Sequence, residues 1–168
     1  FTSPNPIAMA MLNEILLDRQ KLNGSIFTEI SILKDLTLHT EFGWDLSWSK
    51  GSTYEPKIDL GTWVRDNNNA RVQKNSSTYW TLKNYLTYSK SIGKHSFTAM
   101  LGQECWESSW DYVSAYNTNL PNDAIHNPAL GDGDPQIGVG FGSSSMASFF
   151  TRETYNYDGR YLLTYTFR

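Results

Sequence analysis

Residues 36–49 read LTLHTEFGWDLSWS, and their even positions hold Leu36, Leu38, Thr40, Phe42, Trp44, Leu46 and Trp48. The odd positions hold Thr37, His39, Glu41, Gly43, Asp45, Ser47 and Ser49. Successive side chains of a β-strand point to opposite faces, so this stretch is a ribbon with one apolar and one polar side. Either a packed core or a lipid bilayer would accept the apolar side. Which of the two it meets decides the fold.

Outward from this ribbon, three tight turns separate runs of the same kind. They fall at Leu33-Lys34-Asp35-Leu36, Ile92-Gly93 and Asp158-Gly159. Asp-Gly favours a two-residue hairpin turn, because both positions tolerate positive φ. The turns predict three hairpins, from strands 21–33 with 36–49, 77–91 with 94–110, and 145–157 with 160–168. Between the hairpins, residues 50–76 and 111–144 are long, polar and rich in Asn, Gly, Ser, Asp and Pro, and they read as loops. Short turns on one side and long loops on the other are the asymmetry of an outer-membrane barrel, whereas long loops are uncommon in compact soluble domains.

The aromatic residues give a second indication. With the tight turns as the lower rim, Trp44, Trp48, Trp80, Trp106 and Trp110 fall toward the upper strand ends. Tyr85, Tyr88, Tyr155, Tyr157 and Tyr161 fall toward the lower ends. Amphipathic rings collect at the two headgroup levels of a bilayer. The interface residues expected from this pattern are Trp44, Trp48, Trp80, Tyr88, Tyr155, Tyr157 and Tyr161. The alternation has exceptions: Phe27 lies opposite Leu22, Ile26, Ile30 and Ile32, Asn84 interrupts Trp80, Leu82, Leu86 and Tyr88, and Met100 and Trp106 lie opposite Phe97, Ala99 and Leu101. A barrel whose lumen is packed against a plug accommodates inward apolar groups.

Composition narrows the choices. A formal net charge of −3 over 168 residues leaves no basic stripe to neutralise phosphates, so no nucleic-acid partner is expected. The one cysteine, Cys105, allows no internal disulfide. No apolar run reaches the roughly 18 to 20 residues of a membrane-spanning helix, and the opening FTSPNPIAMA has no signal-peptide pattern. A mean hydropathy of −0.47 is compatible with a barrel, whose strands alternate lipid-facing with lumen-facing residues.

The segments LNGSIFTEISILKDLTLHTEFGWD, NYLTYSKSIGKHSFTAMLGQE and SFFTRETYNYDGRYLLTYTFR resemble the SusC/RagA family of TonB-linked outer-membrane proteins of Bacteroidetes. The most specific pieces are Gly93-Lys94-His95-Ser96 leading to Leu101-Gly102-Gln103-Glu104, and Tyr155-Asn156-Tyr157 leading to Tyr161-Leu162-Leu163. The resemblance covers nearly all of 5–168 and is weakest in the two long loops. Thr151 and Glu153 depart from it, standing where the family has small or apolar residues. It implies an all-β fold, an antiparallel transmembrane segment of about six strands within a 22-stranded plugged barrel. It also implies a bacterial outer-membrane location, uptake of a glycan or peptide powered by TonB, and a SusD-like surface lipoprotein as lid. No plug is recognisable in these residues, which read as a piece of a longer protein.

Candidate sites are sparse. Trp106, Trp110, Tyr112 and Tyr116 offer flat faces suited to sugar rings, and Asp111 and Asn117 offer hydrogen bonds to hydroxyls. Gly131-Asp132-Gly133-Asp134-Pro135-Gln136 lacks the further acid or amide and glycine of a calcium loop, so it reads as a solvated turn. Gly138-Val139-Gly140-Phe141-Gly142 is followed by no helix pattern, so it reads as a flexible loop rather than a phosphate cradle. His39, His95 and His126 are too scattered for a metal site or a triad. No metal, cofactor or catalytic residue is expected. The competing readings are a soluble β-sandwich carbohydrate-binding module with its ligand in 111–144, and a β-rich hydrolase using Glu41, Asp45, Glu104 or Glu153, for which spacing selects no pair.

Overall fold

A computed structural model describes residues 6–61 and 63–168, the side chain of residue 8 excepted. A short helix α1 (Pro6–Leu12) precedes β1 (Glu14–Leu33), β2 (Leu36–Glu55), β3 (Ile58–Asp59), β4 (Val64–Arg65), β5 (Asn69–Ile92), β6 (His95–Thr118), β7 (Gln136–Tyr157) and β8 (Tyr161–Phe167), with a 3-10 turn at Pro128–Leu130. The six long strands form one sheet in the order β1-β2-β5-β6-β7-β8, an up-and-down meander, and β3 pairs only with β4. A β-sandwich needs a second sheet of comparable size across its core. Among the described residues the second sheet is the pair of two-residue strands β3 and β4.

The turns form where expected. Asp158 and Gly159 have φ of 54° and 69°, and Gly93 has φ of 58°. Arg160 N–H donates to the Tyr157 carbonyl at 2.9 Å, and Tyr157 faces Tyr161 in the β7–β8 register. Neighbouring turns are tied together. Asp158 N–H donates to the Lys94 carbonyl at 2.8 Å, and Lys94 Nζ lies 3.0 Å from Asp158 Oδ2. Ser89 N–H likewise donates to the Asp35 carbonyl, and Lys90 pairs with the Asp35 carboxylate.

Strand lengths differ from expectation. β1 begins at Glu14 instead of 21, β2 continues past 49 to Glu55, β5 begins at Asn69 instead of 77, β6 continues past 110 to Thr118, and β7 begins at Gln136 instead of 145. Much of 50–76 and 111–144 is therefore strand. In the β2 extension polar residues occupy both faces, as in Ser49-Lys50-Gly51-Ser52-Thr53. No apolar alternation marks that segment, and the backbone ladder holds it regardless of side-chain polarity, whereas in the β7 extension Ile137, Val139 and Phe141 alternate with Gly138, Gly140 and Gly142. The segment 138–142 is accordingly part of β7 and not a flexible loop. The remaining loops are 56–68, which carries β3 and β4, and 119–135.

The chain divides into two compact units. One comprises the residues up to Lys21, Ser47–Ser77 and Trp110–Gly142, and it holds the buried apolar cluster Tyr54, Ala70 and Leu120. The other comprises Leu22–Leu46, Thr78–Ser109 and Ser143–Arg168. Among its described residues no large apolar side chain is buried; Leu101 is 63% exposed, Phe149 70% and Phe42 39%.

Candidate functional site

In the turn-proximal unit, Leu38, Leu86, Leu101 and Phe149 line one shallow apolar depression of about 240 Å³. They mark a common face across β2, β5, β6 and β7. By alternation, Trp44, Trp80, Tyr88, Cys105, Tyr155 and Tyr157 share it. Phe42 lies 6.0 Å from Trp44 and 6.4 Å from Trp80, ring centre to ring centre. Tyr157 lies 6.4 Å from Tyr161, and the Tyr155 hydroxyl is hydrogen-bonded to His95 Nδ1 at 2.7 Å.

The opposite face is polar and carries a cross-strand ladder of rings. Phe27 stacks on His39 (5.7 Å), His39 on Tyr85 (4.5 Å), and Tyr85 meets Phe150 at 6.5 Å. This ladder explains why Phe27 breaks the alternation of β1. Tyr85 thus lies on the polar face, apart from the expected interface residues. Trp106, at 6.1 Å from Tyr79, and Trp110 lie there too, so neither joins Trp80. Beside the ladder, Lys83, Glu104, Arg152 and Arg168 surround a second depression, with Arg168 Nη2 2.9 Å from Glu104 Oε2.

Glu153, opposite Tyr165 in the ladder, is half-buried on the same side of β7 as Thr151. The Thr151 hydroxyl contacts the Glu153 carboxylate and lies 3.0 Å from the Met100 carbonyl. Both departures from the family pattern thus form one polar pair.

In the other unit, β6 presents the ring candidates. Trp110 and Tyr112 lie nearly parallel, 6.3 Å apart at 5°. They spread over the bare glycine face of β7. A Cβ on Gly140 would stand 2.4 Å from Tyr112 Cε1, and one on Gly142 would stand 2.9 Å from Trp110 Nε1. Trp110 and Tyr112 border a cleft of about 220 Å³ whose other wall is Ser47, Ser49, Asn75 and Ser77. Asn75 Nδ2 donates to Ser49 Oγ at 3.0 Å and Gln73 Nε2 donates to Asn75 Oδ1 at 2.7 Å, which fixes the amide. An aromatic plane facing a strip of hydroxyls and amides suits a ligand with one apolar and one hydrogen-bonding face.

The remaining candidates are dispersed. Tyr116 lies under Arg71, with the guanidinium 5.7 Å from the ring centre. Asp111 borders the cleft and accepts from the Ser76 hydroxyl. Asn117 is buried, donates to the Gly131 carbonyl at 2.8 Å and accepts from Thr118 N–H. Gly133 N–H donates to the Thr118 carbonyl, so the 131–134 segment is bonded along the end of β6. Among the described residues no three His, Cys, Asp or Glu side chains gather to hold a metal. The sequence reading missed Ser47, Ser49, Asn75 and the glycines; the spacing-of-two glycines was the available signal.

A polar knot closes the loops of this unit. Asn68 is buried, donates to the Leu120 carbonyl at 3.2 Å and accepts from Leu120 N–H at 2.7 Å. The Tyr54 hydroxyl donates to the Asp123 carboxylate, and the Tyr54 ring stacks on His126 at 3.9 Å. Desolvation, then the bond to Asp123, pushes Tyr54 up to about 12; the same hydroxyl and the Asn68 amide hold Asp123 below the usual carboxylate range.

No family model matches the sequence. TonB-dependent receptor P26 of Formosa agariphila is 28% identical over 165 residues, which is 95% of this chain and 17% of that protein. The solved RagAB peptide transporter superposes with a TM-score of 0.80 at 21% identity over 89% of this chain and 17% of its own. The RagAB peptide importer in its 'open-open' state gives 0.83 at 21% identity over 94% of this chain and 18% of its own. The chain spans less than a fifth of the length of these relatives. These matches agree with the resemblance to SusC/RagA-type proteins, and the solved structures show that the chain has the fold of a run of antiparallel barrel wall.

Proposed function

We propose that this chain forms barrel wall and surface loops of a SusC-type TonB-dependent importer. The importer takes up a glycan or peptide together with a SusD-like lipoprotein, and the chain performs no chemistry of its own. The carrying observation is the single-layer sheet of the turn-proximal unit, whose apolar face is left open by the described residues. Lipid is the partner that such a face requires, since open apolar sheet does not persist in water. Trp44, Trp48, Trp80, Tyr88, Tyr155, Tyr157 and Tyr161 serve as interface anchors in this reading. A tilted strand spends about 9 to 11 residues in hydrocarbon. Counted from the tight turns, this ends near Leu46 on β2 and near Leu82 on β5, beside Trp44, Trp48 and Trp80.

Movement of substrate is driven by TonB through a plug outside these residues. The Trp110–Tyr112 cleft is the ligand-contact surface of the wall. The test is uptake of labelled oligosaccharides and peptides by cells carrying the full-length receptor, with and without a functional TonB system. Uptake that depends on TonB, and weaker ligand binding in Trp110→Ala, are expected. TonB-independent uptake, or recovery of the protein from the soluble fraction, overturns the reading; unchanged affinity in Trp110→Ala removes the cleft from it.

A further inference from the structure

The apolar face of β2 ends in a change of chemistry. Leu36, Leu38, Phe42, Trp44, Leu46 and Trp48 are followed at the next same-face position by Lys50. On β5, Tyr88, Leu86, Leu82 and Trp80 are followed by Thr78, Ser76 and Lys74. The bond from Asn75 to Ser49 and that from Asn69 Nδ2 to Glu55 Oε2 (3.0 Å) set residues 49 and 55 opposite 75 and 69. The same register sets Lys50 opposite Lys74. Like charges directly opposed across a ladder are unfavourable, yet both side chains are exposed and neither has an ion-pair partner among the described residues.

The two lysines share a depression of about 370 Å³ with Trp48, Val113, Asp18 and Gln20. Its composition is specific. Two ammonium groups suit a phosphate, the Asp18 and Gln20 side chains suit sugar hydroxyls, and Trp48 and Val113 suit the start of an acyl chain. Asp111, also on its rim, accepts from the Ser76 hydroxyl, and among the described residues neither it nor Asp18 is ion-paired with either lysine.

We propose that Lys50 and Lys74 form a binding site for a phosphorylated glycolipid headgroup of the outer leaflet, one that fixes the barrel's height in the membrane. A lipid is favoured over free phosphate because Trp48 and Val113 line the same depression as the lysines. The experiment measures binding of monophosphoryl lipid A and of its phosphatase-treated counterpart to the full-length receptor in detergent, with inorganic phosphate as competitor. The phosphorylated lipid is expected to bind roughly thirtyfold more tightly, from about a factor of five per lysine. Lys50→Gln with Lys74→Gln abolishes that preference, whereas Lys50→Arg with Lys74→Arg keeps it. Equal binding of the two lipids overturns the proposal, as does complete displacement by millimolar phosphate, which marks a free-anion site. Should the Gln variant not reach the membrane, the comparison of the two lipids on the unaltered receptor decides.

Discussion

Phe150 of β7 lies across Gly102 of β6, so that a Cβ added to Gly102 would stand 2.4 Å from Phe150 Cζ and 2.7 Å from Tyr85 Cβ. The glycine is what allows the ring ladder Phe27–His39–Tyr85–Phe150 to cross β6 without a break. Phe150 can swing away, but Tyr85 Cβ is fixed to its backbone. Gly102→Ala is therefore expected to cost about 1–3 kcal/mol through overpacking, and Gly102→Val more. Thermal unfolding of the full-length receptor reads this out, and an unchanged transition for Gly102→Val shows that the ladder yields freely.

The two faces of β6 make opposite demands on a charge. Leu101 lies on the apolar face, and Met100 on the side of Lys83, Glu104 and Arg152. Arg at a lipid-facing position near the bilayer midplane costs about 2–4 kcal/mol. Leu101→Arg is expected to lower stability and outer-membrane yield by that amount, with Met100→Arg well below it. Equal losses from these adjacent positions contradict the assignment of faces.

The hairpins, the turn residues and the apolar face were legible because each rests on local rules: period-two alternation, positive φ at Asp158-Gly159 and Gly93, and aromatic placement. The strand extensions were not legible. In β2 the added residues are polar on both faces and backbone pairing with a distant segment holds them in the sheet, while in β7 the glycines between Ile137, Val139 and Phe141 read as loop although the alternation was there. The site was legible in part. Trp110 and Tyr112 stand out as aromatic, but their seating depends on Gly140 and Gly142, and the cross-strand register that joins them is not written in either segment. Parity had already set Trp106 opposite Phe97, Ala99 and Leu101, and the structure keeps it there with Tyr79.

The loop knot has a pH window with two limits. Asp123 is held below its ordinary value by the Tyr54 hydroxyl and then by the Asn68 amide. It thus contributes stability above the unfolded carboxylate value of about 4, and that contribution is lost as pH falls through the lower folded value. Tyr54 is raised to about 12, so its contribution is present below about 10 and is lost as pH rises toward 12. Hydrogen exchange at the Leu120 amide is expected to show protection falling on the acid side. In Tyr54→Phe the acid limb moves to higher pH. An acid limb identical in the two proteins refutes the coupling.

Asn68 gives the sharpest test of how the loops are held. Its side chain both donates to and accepts from Leu120, and its carbonyl accepts from Asn119 N–H at 3.0 Å. Asn68→Ala strands the Leu120 amide and carbonyl in a buried setting, at about 1–3 kcal/mol. Asn68→Asp keeps the acceptor for Leu120 N–H, yet it loses the donor and places a carboxylate beside Asp123, which Asn68 Nδ2 now approaches at 3.3 Å. Asp is therefore expected to be no better than Ala near neutral pH and to recover only on acidification. The damage should stay local, with faster proteolytic nicking within 119–135 and an unchanged global unfolding transition. Nicking at the original rate in both variants shows that the Tyr54, Ala70 and Leu120 cluster alone suffices to close the loops.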